Sequence, residues 1–260
     1  MILLFVTTSY DPSDSQLSEA AALARKLGGR FIQRRRMTLA QLRQRFGDED
    51  ILLLTKDRME YHHELRLPLF FHPSTAAVRI KRLRNGEKDP LLQLAGIGPG
   101  DRIVDCTAGL GSDAIVFSFA AGPEGAVTAI ESASIPAFLL QQGLRTYHSE
   151  VPGLDEAMRR IEVLQKDHAE VLKAMEPGSC DVVYFDPMFR QPITESSSIK
   201  AIRGLADDRA LSPESVALAR RAARRAVILK EHRDSAEFGR LGFAEVHRSS
   251  TKIAYGVIRC

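Results

Sequence analysis

Residues 96–120 read GIGPGDRIVDCTAGLGSDAIVFSFA, and this stretch decides the fold of the chain. The pattern predicts a turn, a short buried strand ending near Asp105, a glycine loop and then a helix. Glycine at positions 109 and 111 lets the backbone approach a ligand without an intervening side chain. The helix that follows offers free N–H groups to an anion. We therefore expect a nucleotide-like ligand at this loop.

The alternation of strand and helix continues after the glycine loop. Four further apolar strands are predicted at AVTAIE, IEVLQKD, CDVVYFD and RAVILK, and amphipathic segments separate them. The segments AEVHRSS and KIAYGVIRC are typical of a closing antiparallel pair. This order predicts an α/β fold with a mostly parallel sheet that is covered by helices on both faces. Ligands of such sheets bind beyond the carboxyl ends of the strands.

The first 66 residues have a shorter α/β pattern of their own. The segments ILLFV, FIQRR and DILLLT are strand-like, and LSEAAALARKLG and TLAQLRQRF have the spacing of amphipathic helices. The pattern becomes irregular between Tyr61 and Pro73, which indicates a domain junction. We predict a small N-terminal α/β domain at residues 1–66 and a larger domain at residues 67–260.

The composition is that of a protein that folds in water. Hydrophobic residues make up 44% of the chain and charged residues 27%. No apolar run approaches the roughly 20 residues needed to cross a bilayer, so we expect no membrane insertion. The three cysteines lack metal-ligand spacing, which favours a reducing cytoplasm and no metal. Arginines cluster at 34–36, 79–84 and 220–225, and each cluster taken alone favours a solvated helix face.

Acidic residues follow three successive strands of the predicted sheet. Asp105 precedes the glycine loop, Glu131 ends the next strand, and Asp167 ends the one after it. Glu131 is suited to accept hydrogen bonds from two ribose hydroxyls, Asp167 from an adenine amino group, and Asp105 is suited to face an ammonium. The candidate cofactor-binding residues are Asp105, Thr107, Ala108, Gly109, Gly111, Asp113, Glu131, Ser132, Asp167, His168 and Asp186.

Two other interpretations of this loop remain open. The spacing of Gly109, Gly111 and Ala114 also fits a looser dinucleotide fingerprint, although Asp105 would repel the pyrophosphate of a nicotinamide cofactor. The loop is also compatible with a ligand-free turn flanked by solvated strand ends. Three acids beside one glycine loop favour S-adenosylmethionine over both.

Asp186, Pro187, Met188 and Phe189 follow the strand CDVVYFD and form the candidate catalytic motif. The Asp186 carboxylate and the Pro187 carbonyl can accept N–H bonds from an exocyclic amine, which turns its lone pair toward a methyl donor. Phe189 can stack on a base. The alternative is a strand-terminating turn over a buried Phe. No cysteine lies in the motif, which disfavours a covalent mechanism.

These residues resemble the J-type family of bacterial small-subunit ribosomal RNA guanine-N2 methyltransferases, particularly its relatives in Gram-positive bacteria. The similarity is carried by FFHPSTAAVRIKRL, by DPLLQLAGIGPGDRIVDCTAGLGSDAIV and by VVYFDPMFRQPITESSSIKAIRGLADD. The resemblance implies a class I methyltransferase fold with a seven-stranded sheet, S-adenosylmethionine as donor, and the motif from Asp186 to Phe189 as the catalytic strand end. The chain departs from the family at Lys230-Glu231-His232-Arg233, where Gram-negative members have Lys-Arg-Pro, and in its N-terminal unit.

The resemblance also implies a substrate, which is a guanine of ribosomal RNA, free or in the small ribosomal subunit. The candidate substrate-binding residues are His72, Arg79, Lys200 and Arg203. A structural hydrogen bond is an alternative role for His72. Two other functions remain open, namely methylation of a protein amide or small amine, and binding of cofactor or RNA without turnover. The oligomeric state and the position of the methylated nucleotide cannot be derived from the sequence.

Overall fold

The computed structural model of the chain describes residues 4–47, 50–63, 67–188, 209–248 and 251–260. They divide into two compact units, of which the first ends at Phe71 and the second begins at His72. Within these ranges, the helices are too short or too polar for any of them to cross a bilayer.

The first unit is built on a four-stranded sheet. Its elements are β1 (Leu4–Thr8), α1 (Asp14–Lys26), β2 (Arg30–Phe31), α2 (Leu39–Phe46), β3 (Asp50–Leu54) and β4 (Met59–His62). The strand order is β2-β1-β3-β4, with β1, β2 and β3 parallel and β4 antiparallel. Phe5, Leu42 and Ile51 are fully buried and pack together between the sheet and α2.

Capping boxes fix the first residue of both helices in this unit. The hydroxyl of Ser13 accepts from the backbone of Gln16, and the Gln16 side chain accepts from the backbone of Ser13. Thr38 and Gln41 make the same reciprocal pair at the start of α2. Each pair satisfies backbone N–H groups that a helix start otherwise leaves unbonded.

The second unit contains a seven-stranded sheet. Its elements are α3 (Ser74–Arg84), α4 (Pro90–Ala95), β5 (Arg102–Asp105), α5 (Ser112–Ala121), β6 (Ala126–Ile130), α6 (Ser134–Thr146), α7 (Leu154–Arg159), β7 (Ile161–Leu164), α8 (His168–Ala174), β8 (Cys180–Phe185), α9 (Pro213–Ala222), β9 (Ala223–His232), α10 (Glu237–Arg240), β10 (Glu245–Arg248) and β11 (Ile253–Arg259). The strand order is β10-β11-β9-β8-β5-β6-β7, and β11 runs antiparallel to both neighbours. The predicted α/β fold with a mostly parallel sheet is confirmed.

The strand order decides where a ligand can bind in this sheet. From β5, the chain runs outward through β6 and β7 and then returns to β8 on the other side of β5. Such a reversal leaves a crevice beyond the carboxyl ends of β5 and β8, because the connecting helices depart to opposite faces. The glycine loop after β5 and the motif that begins at Asp186 both start at this crevice.

The arginine cluster at 220–225 differs from the predicted solvated helix face. Arg221 donates to three backbone carbonyls at the end of α8, where a helix leaves carbonyls without intrahelical partners. Arg224 and Arg225 lie on β9 rather than on a helix, and they pair with Asp181 and Asp101. These three arginines therefore connect elements of the second unit.

Gly111 gives a test of the packing around the glycine loop. Its φ is +78°, and an added Cβ would lie 2.6 Å from Cδ1 of Leu140, which is fully buried. Gly111→Ala should therefore lower the free energy of unfolding by more than the roughly 1–2 kcal/mol cost of a left-handed backbone. Gly100→Ala is a control for backbone strain alone, and Gly98→Ala meets neither strain nor a contact.

Thermal unfolding of the three variants should rank their Tm values in the order Gly98→Ala, Gly100→Ala, Gly111→Ala, from highest to lowest. A Tm for Gly111→Ala equal to that of Gly100→Ala would show that Leu140 yields without cost and would contradict the packing argument.

Candidate active site

The two sequence motifs meet directly at the carboxyl ends of β5 and β8. The backbone N–H of Asp186 donates to the Thr107 hydroxyl over 2.6 Å, and the N–H of Cys106 donates to the Tyr184 carbonyl over 2.9 Å. Because β5 and β8 are parallel neighbours, the chain segments that leave them run side by side. The glycine loop and the candidate catalytic motif therefore form one site. Pro187 and Met188 are half-buried beside it.

The backbone of the glycine loop is tightly constrained. Gly109 and Gly111 have φ values of +55° and +78°, a region that glycine enters without strain. Ala108 donates its N–H to the Ile130 carbonyl, and Gly111 donates to Ala108. Asp105 accepts from the N–H of Thr107 over 3.2 Å. These bonds hold the loop open toward the crevice before any ligand binds.

Glu131 is attached to this loop. One carboxylate oxygen accepts from the N–H of Gly109 over 2.9 Å, and the other accepts from the N–H of Ala133 over 2.8 Å. Its side chain is buried, and Ser132 next to it is half-buried. A carboxylate oxygen has two lone pairs, so an oxygen that accepts a backbone N–H is also chemically suited to accept from a ribose hydroxyl.

Asp167 and His168 lie after β7, one strand further along the sheet. Asp167 caps α8 through the N–H of Ala169, and Arg209 donates to its second oxygen over 2.6 Å. The hydrogen bond from Arg209 lowers the pKa of Asp167 below its usual value. His168 shares a hydrogen bond with Ser215 and stands edge-on to Phe185, with ring centroids 5.6 Å apart.

Asp113 is a member of a buried charge network. The OH of Tyr184 and the ammonium of Lys230 donate to one oxygen over 2.8 and 3.1 Å, and Arg79 donates to the other. Lys230 also donates to Asp186 over 2.6 Å. Both carboxylate oxygens of Asp113 thus accept from side chains of the protein.

Arg79, a candidate substrate-binding residue, bonds to two carboxylates of the protein. Its guanidinium makes two hydrogen bonds to Asp89, over 2.7 and 3.0 Å, in addition to the contact with Asp113. Asp89 in turn caps α4 through the N–H groups of Leu91 and Leu92. These bonds use three of the five N–H donors of the guanidinium, and the two carboxylates balance its charge.

Burial and neighbouring charges shift the pKa values of Asp113, Asp186 and Lys230 in this network. Burial raises the pKa of Asp113, but the charges of Lys230 and Arg79 outweigh burial and hold this pKa below its usual value. Burial raises the pKa of Asp186, and Lys230 opposes this increase only in part. Burial lowers the pKa of Lys230, but the two carboxylates more than compensate and raise it. Asp186 is therefore the member of the network that takes up a proton most readily.

Asp105 is the most buried acid of the site, with 1% of its surface exposed. Burial and the charge of Asp113 raise its pKa well above the usual value. A cationic ligand group would reverse this effect, because an adjacent positive charge favours the carboxylate. The position therefore suits a ligand that carries an ammonium.

Sequence reasoning missed Lys230 and Tyr184. Lys230 had a readable signal, since it is the single charged residue at the end of the apolar run AVILK in β9. Tyr184 had none, because a tyrosine inside a buried strand is ordinary packing. Their contacts to Asp113 span 117 and 71 positions of the chain, and local spacing does not encode such pairs.

The remaining predicted residues are not joined to this site by the described contacts. His72 is exposed and shares a hydrogen bond of 3.2 Å with the OH of Tyr147. Phe189, Lys200 and Arg203 lie outside the described residues. Among the described residues, no group of histidine, cysteine, aspartate and glutamate side chains is suited to hold a metal ion.

Comparison with known proteins places this site in context. A family model described as "Putative SAM-dependent methyltransferase" matches residues 35–240. The chain is 39% identical to the uncharacterized protein YpiP of Bacillus subtilis over 98% of both chains. It is 30% identical to the ribosomal RNA small subunit methyltransferase J of Nitrosococcus oceani, over 70% of this chain and 73% of that protein. A SAM-dependent methyltransferase structure from Neisseria gonorrhoeae has the same fold, with a TM-score of 0.63 at 17% identity over 98% of this chain and 95% of that one.

Removal of the Lys230 ammonium tests the charge network. Lys230→Met should lower the free energy of unfolding by about 3–5 kcal/mol near pH 7, because buried Asp113 and half-buried Asp186 then lose a cation that both of them contact. The pKa of Asp186 should rise further above its value in the unfolded chain. A group with a raised folded pKa stabilises the fold when protonated, and this contribution is lost as the pH rises through that pKa.

The difference in stability between Lys230→Met and the wild type should therefore shrink as the pH falls from about 7 to about 5. Urea unfolding at several pH values measures this difference. Lys88→Met is the matched control, since Lys88 is exposed and should show no such dependence. A destabilisation by Lys230→Met that is the same at every pH would contradict the coupling to Asp186.

Proposed function

Since the chain belongs to the family of S-adenosylmethionine-dependent methyltransferases, we propose that it methylates the exocyclic N2 amine of a guanine in small-subunit ribosomal RNA. The observation that carries this proposal is the position of Asp186 at the mouth of the crevice, where Lys230 donates to its carboxylate and its backbone N–H donates to the Thr107 hydroxyl. The similarity to a protein named ribosomal RNA small subunit methyltransferase J supports the class of substrate.

S-adenosylmethionine is the cofactor of this enzyme, and it supplies a methyl group on a sulfonium centre. The donor set around the glycine loop fits such a molecule. Asp105 suits the ammonium and Glu131 suits the ribose hydroxyls, for the reasons of charge and lone-pair capacity given above. Asp167 and His168 are proposed contacts to the adenine. Thr107, Ala108, Gly109, Gly111 and Ser132 form the surrounding wall in this proposal.

Asp186 would orient and then deprotonate the acceptor amine. The lone pair of an exocyclic amine is delocalised into the base, and hydrogen bonds from the amine to Asp186 and to the Pro187 carbonyl direct it toward the methyl carbon. The nitrogen–carbon bond forms as the carbon–sulfur bond breaks, and the nitrogen then loses a proton. Because burial raises the pKa of Asp186, its carboxylate is a better acceptor for this proton than an ordinary aspartate.

The division of the chain into two compact units supports the assignment of two domains. We assign residues 67–260 to the methyltransferase domain and residues 1–66 to a small N-terminal domain. His72, Lys200 and Arg203 remain proposed substrate contacts. Met188 and Phe189 complete the proposed catalytic strand end, and Phe189 would stack on the target base.

Methylation of RNA tests the proposed substrate. Small ribosomal subunits from a strain that lacks this gene should accept tritiated methyl groups from S-adenosylmethionine in the presence of the wild-type enzyme, and mass mapping should locate N2-methylguanosine. Asp186→Asn should lower kcat about 10²–10⁴-fold, because the amide cannot take up the proton. Its affinity for S-adenosylmethionine should change little. Label in a protein or a small amine instead of RNA would overturn the proposed substrate.

Binding of the cofactor tests the role of Glu131. Glu131→Gln should weaken S-adenosylmethionine binding about 10–100-fold, which corresponds to the loss of charge-assisted hydrogen bonds worth about 1.5–3 kcal/mol. Isothermal titration calorimetry measures this change, and Tm values of the free proteins report any loss of fold. Glu124→Gln is the matched control, because Glu124 is exposed just before β6, at the opposite end of that strand. If the two variants bound S-adenosylmethionine with equal affinity, the assignment of Glu131 to the cofactor site would be wrong.

A further inference from the structure

The sheet of the first unit also has a strand order that leaves a crevice for a ligand. In its sheet, β1 lies between β2 and β3, and the chain moves from β1 to β2 on one side and then across to β3 on the other. Parallel sheets with this order bind ligands beyond the carboxyl ends of the strands, at the reversal between β1 and β3. Three loops meet there, at residues 9–13, 32–38 and 55–58. We call their exposed surface the Tyr10 edge.

The Tyr10 edge contains a buried arginine with uncommitted charge. Arg34 is 8% exposed, and its guanidinium lies 4.0 Å from the centroid of the Tyr10 ring. Its Nε donates to the Met37 carbonyl over 2.9 Å. Across the described ranges, no carboxylate oxygen comes within 4.0 Å of this guanidinium. Buried arginines are ordinarily paired, so this one is placed to attract an anion. Tyr10 itself is 54% exposed.

Arg35 and Arg36 extend this positive charge outward. Arg35 has a φ of +51°, and of the described residues it is the one that enters this region without being glycine. Strained backbone of this kind is retained mainly where function requires it. Both side chains are exposed, and exposed Lys56 follows β3 at the same edge. The first turn of α2 begins just after this loop and contains no acid, so the positive end of the helix dipole adds to this potential.

Two hydroxyls below the Tyr10 edge lack partners. The side-chain oxygens of Thr8 and Ser9 are buried and make no hydrogen bond with any described residue. Buried polar atoms are nearly always bonded, which makes such a pair at one strand end informative. The exposed acids Asp11 and Asp14 lie on the α1 side of the edge, and exposed Asp57 follows Lys56. The net positive part is therefore the loop with Arg35 and Arg36, on the α2 side.

We propose that the Tyr10 edge binds single-stranded RNA. A base stacks on Tyr10, which Arg34 backs from the other side, and the phosphates that follow lie against Arg35, Arg36 and Lys56. An aromatic ring beside clustered arginines suits RNA, because bases stack on aromatic and guanidinium planes while phosphates bind the charges. The inference rests on the proposed function, since it gives the RNA substrate a second contact outside the catalytic unit.

Fluorescence anisotropy with the full chain and a labelled single-stranded oligoribonucleotide of mixed sequence tests this assignment. Tyr10→Ala should weaken RNA binding about tenfold with an unchanged salt slope, and Tyr10→Phe should retain affinity, because stacking requires the ring alone. The double variant Arg35→Ala with Arg36→Ala should reduce the slope of log affinity against log salt by about 1.4, at about 0.7 for each lost phosphate contact.

The matched control is Arg25→Ala with Lys26→Ala. These two exposed residues lie in the last turn of α1, at the opposite end of the strands from the Tyr10 edge. Their double substitution removes the same amount of charge. The control should bind RNA as the wild type does. In methylation assays, the Tyr10 and arginine variants should raise KM for RNA and leave kcat and cofactor affinity unchanged, with Tm values that confirm an intact fold.

The outcomes separate this inference from the proposed function. If the variants bind RNA as tightly as the wild type, or if the control loses as much affinity, the Tyr10 edge is not an RNA site, although RNA can still be the substrate. If the wild type neither binds nor methylates RNA, both proposals fail. Unchanged RNA binding combined with lost binding of a ribosomal protein would overturn the RNA assignment in favour of a protein partner.

Discussion

One ammonium group, that of Lys230, holds a buried carboxylate and a half-buried one at the centre of the site. It bonds to Asp113 at the start of α5 and to Asp186 after β8, and it lies itself on β9. Opposite unit charges about 4 Å apart attract by about 4 kcal/mol at an effective dielectric constant of about 20, so Lys230 offsets much of the cost of placing the two acids in one site. The geometry of the crevice depends on this shared cation, because it joins three elements at the edge where the chemistry occurs.

Much of this arrangement follows from local sequence. The apolar strands, the glycine loop and the acids at the strand ends are readable because periodicity and turn residues act over a few positions. Parallel pairing of β5 and β8 then requires the loop and the Asp186 motif to share an edge. The partners of those acids are not readable in the same way. Asp113 bonds to Arg79, Tyr184 and Lys230, which come from three separate elements, and only the folded chain decides which of them meet.

The arginine clusters illustrate the same limit, because three similar stretches of sequence have three different physical environments. Arg221 binds the carbonyl end of a helix, and Arg79 lies between two carboxylates. Arg34 is buried against an aromatic ring, and Arg35 is exposed beside it. A guanidinium presents five donors and cannot lose its charge in a protein, so its role is set by whichever acceptors the fold brings within reach.

The chain of contacts from Asp89 through Arg79 to Asp113 has an evolutionary consequence. Asp89 caps the first turn of α4, Arg79 lies on α3, and Asp113 lies in the first turn of α5. Arg79 bonds to both acids and so connects the three helices. A substitution at any one of them removes an ion pair from the others and leaves a poorly shielded interior with less charge balance, which costs free energy. In related proteins, Arg79, Asp89 and Asp113 should therefore be retained together or substituted together, so that substitutions at the three positions are correlated.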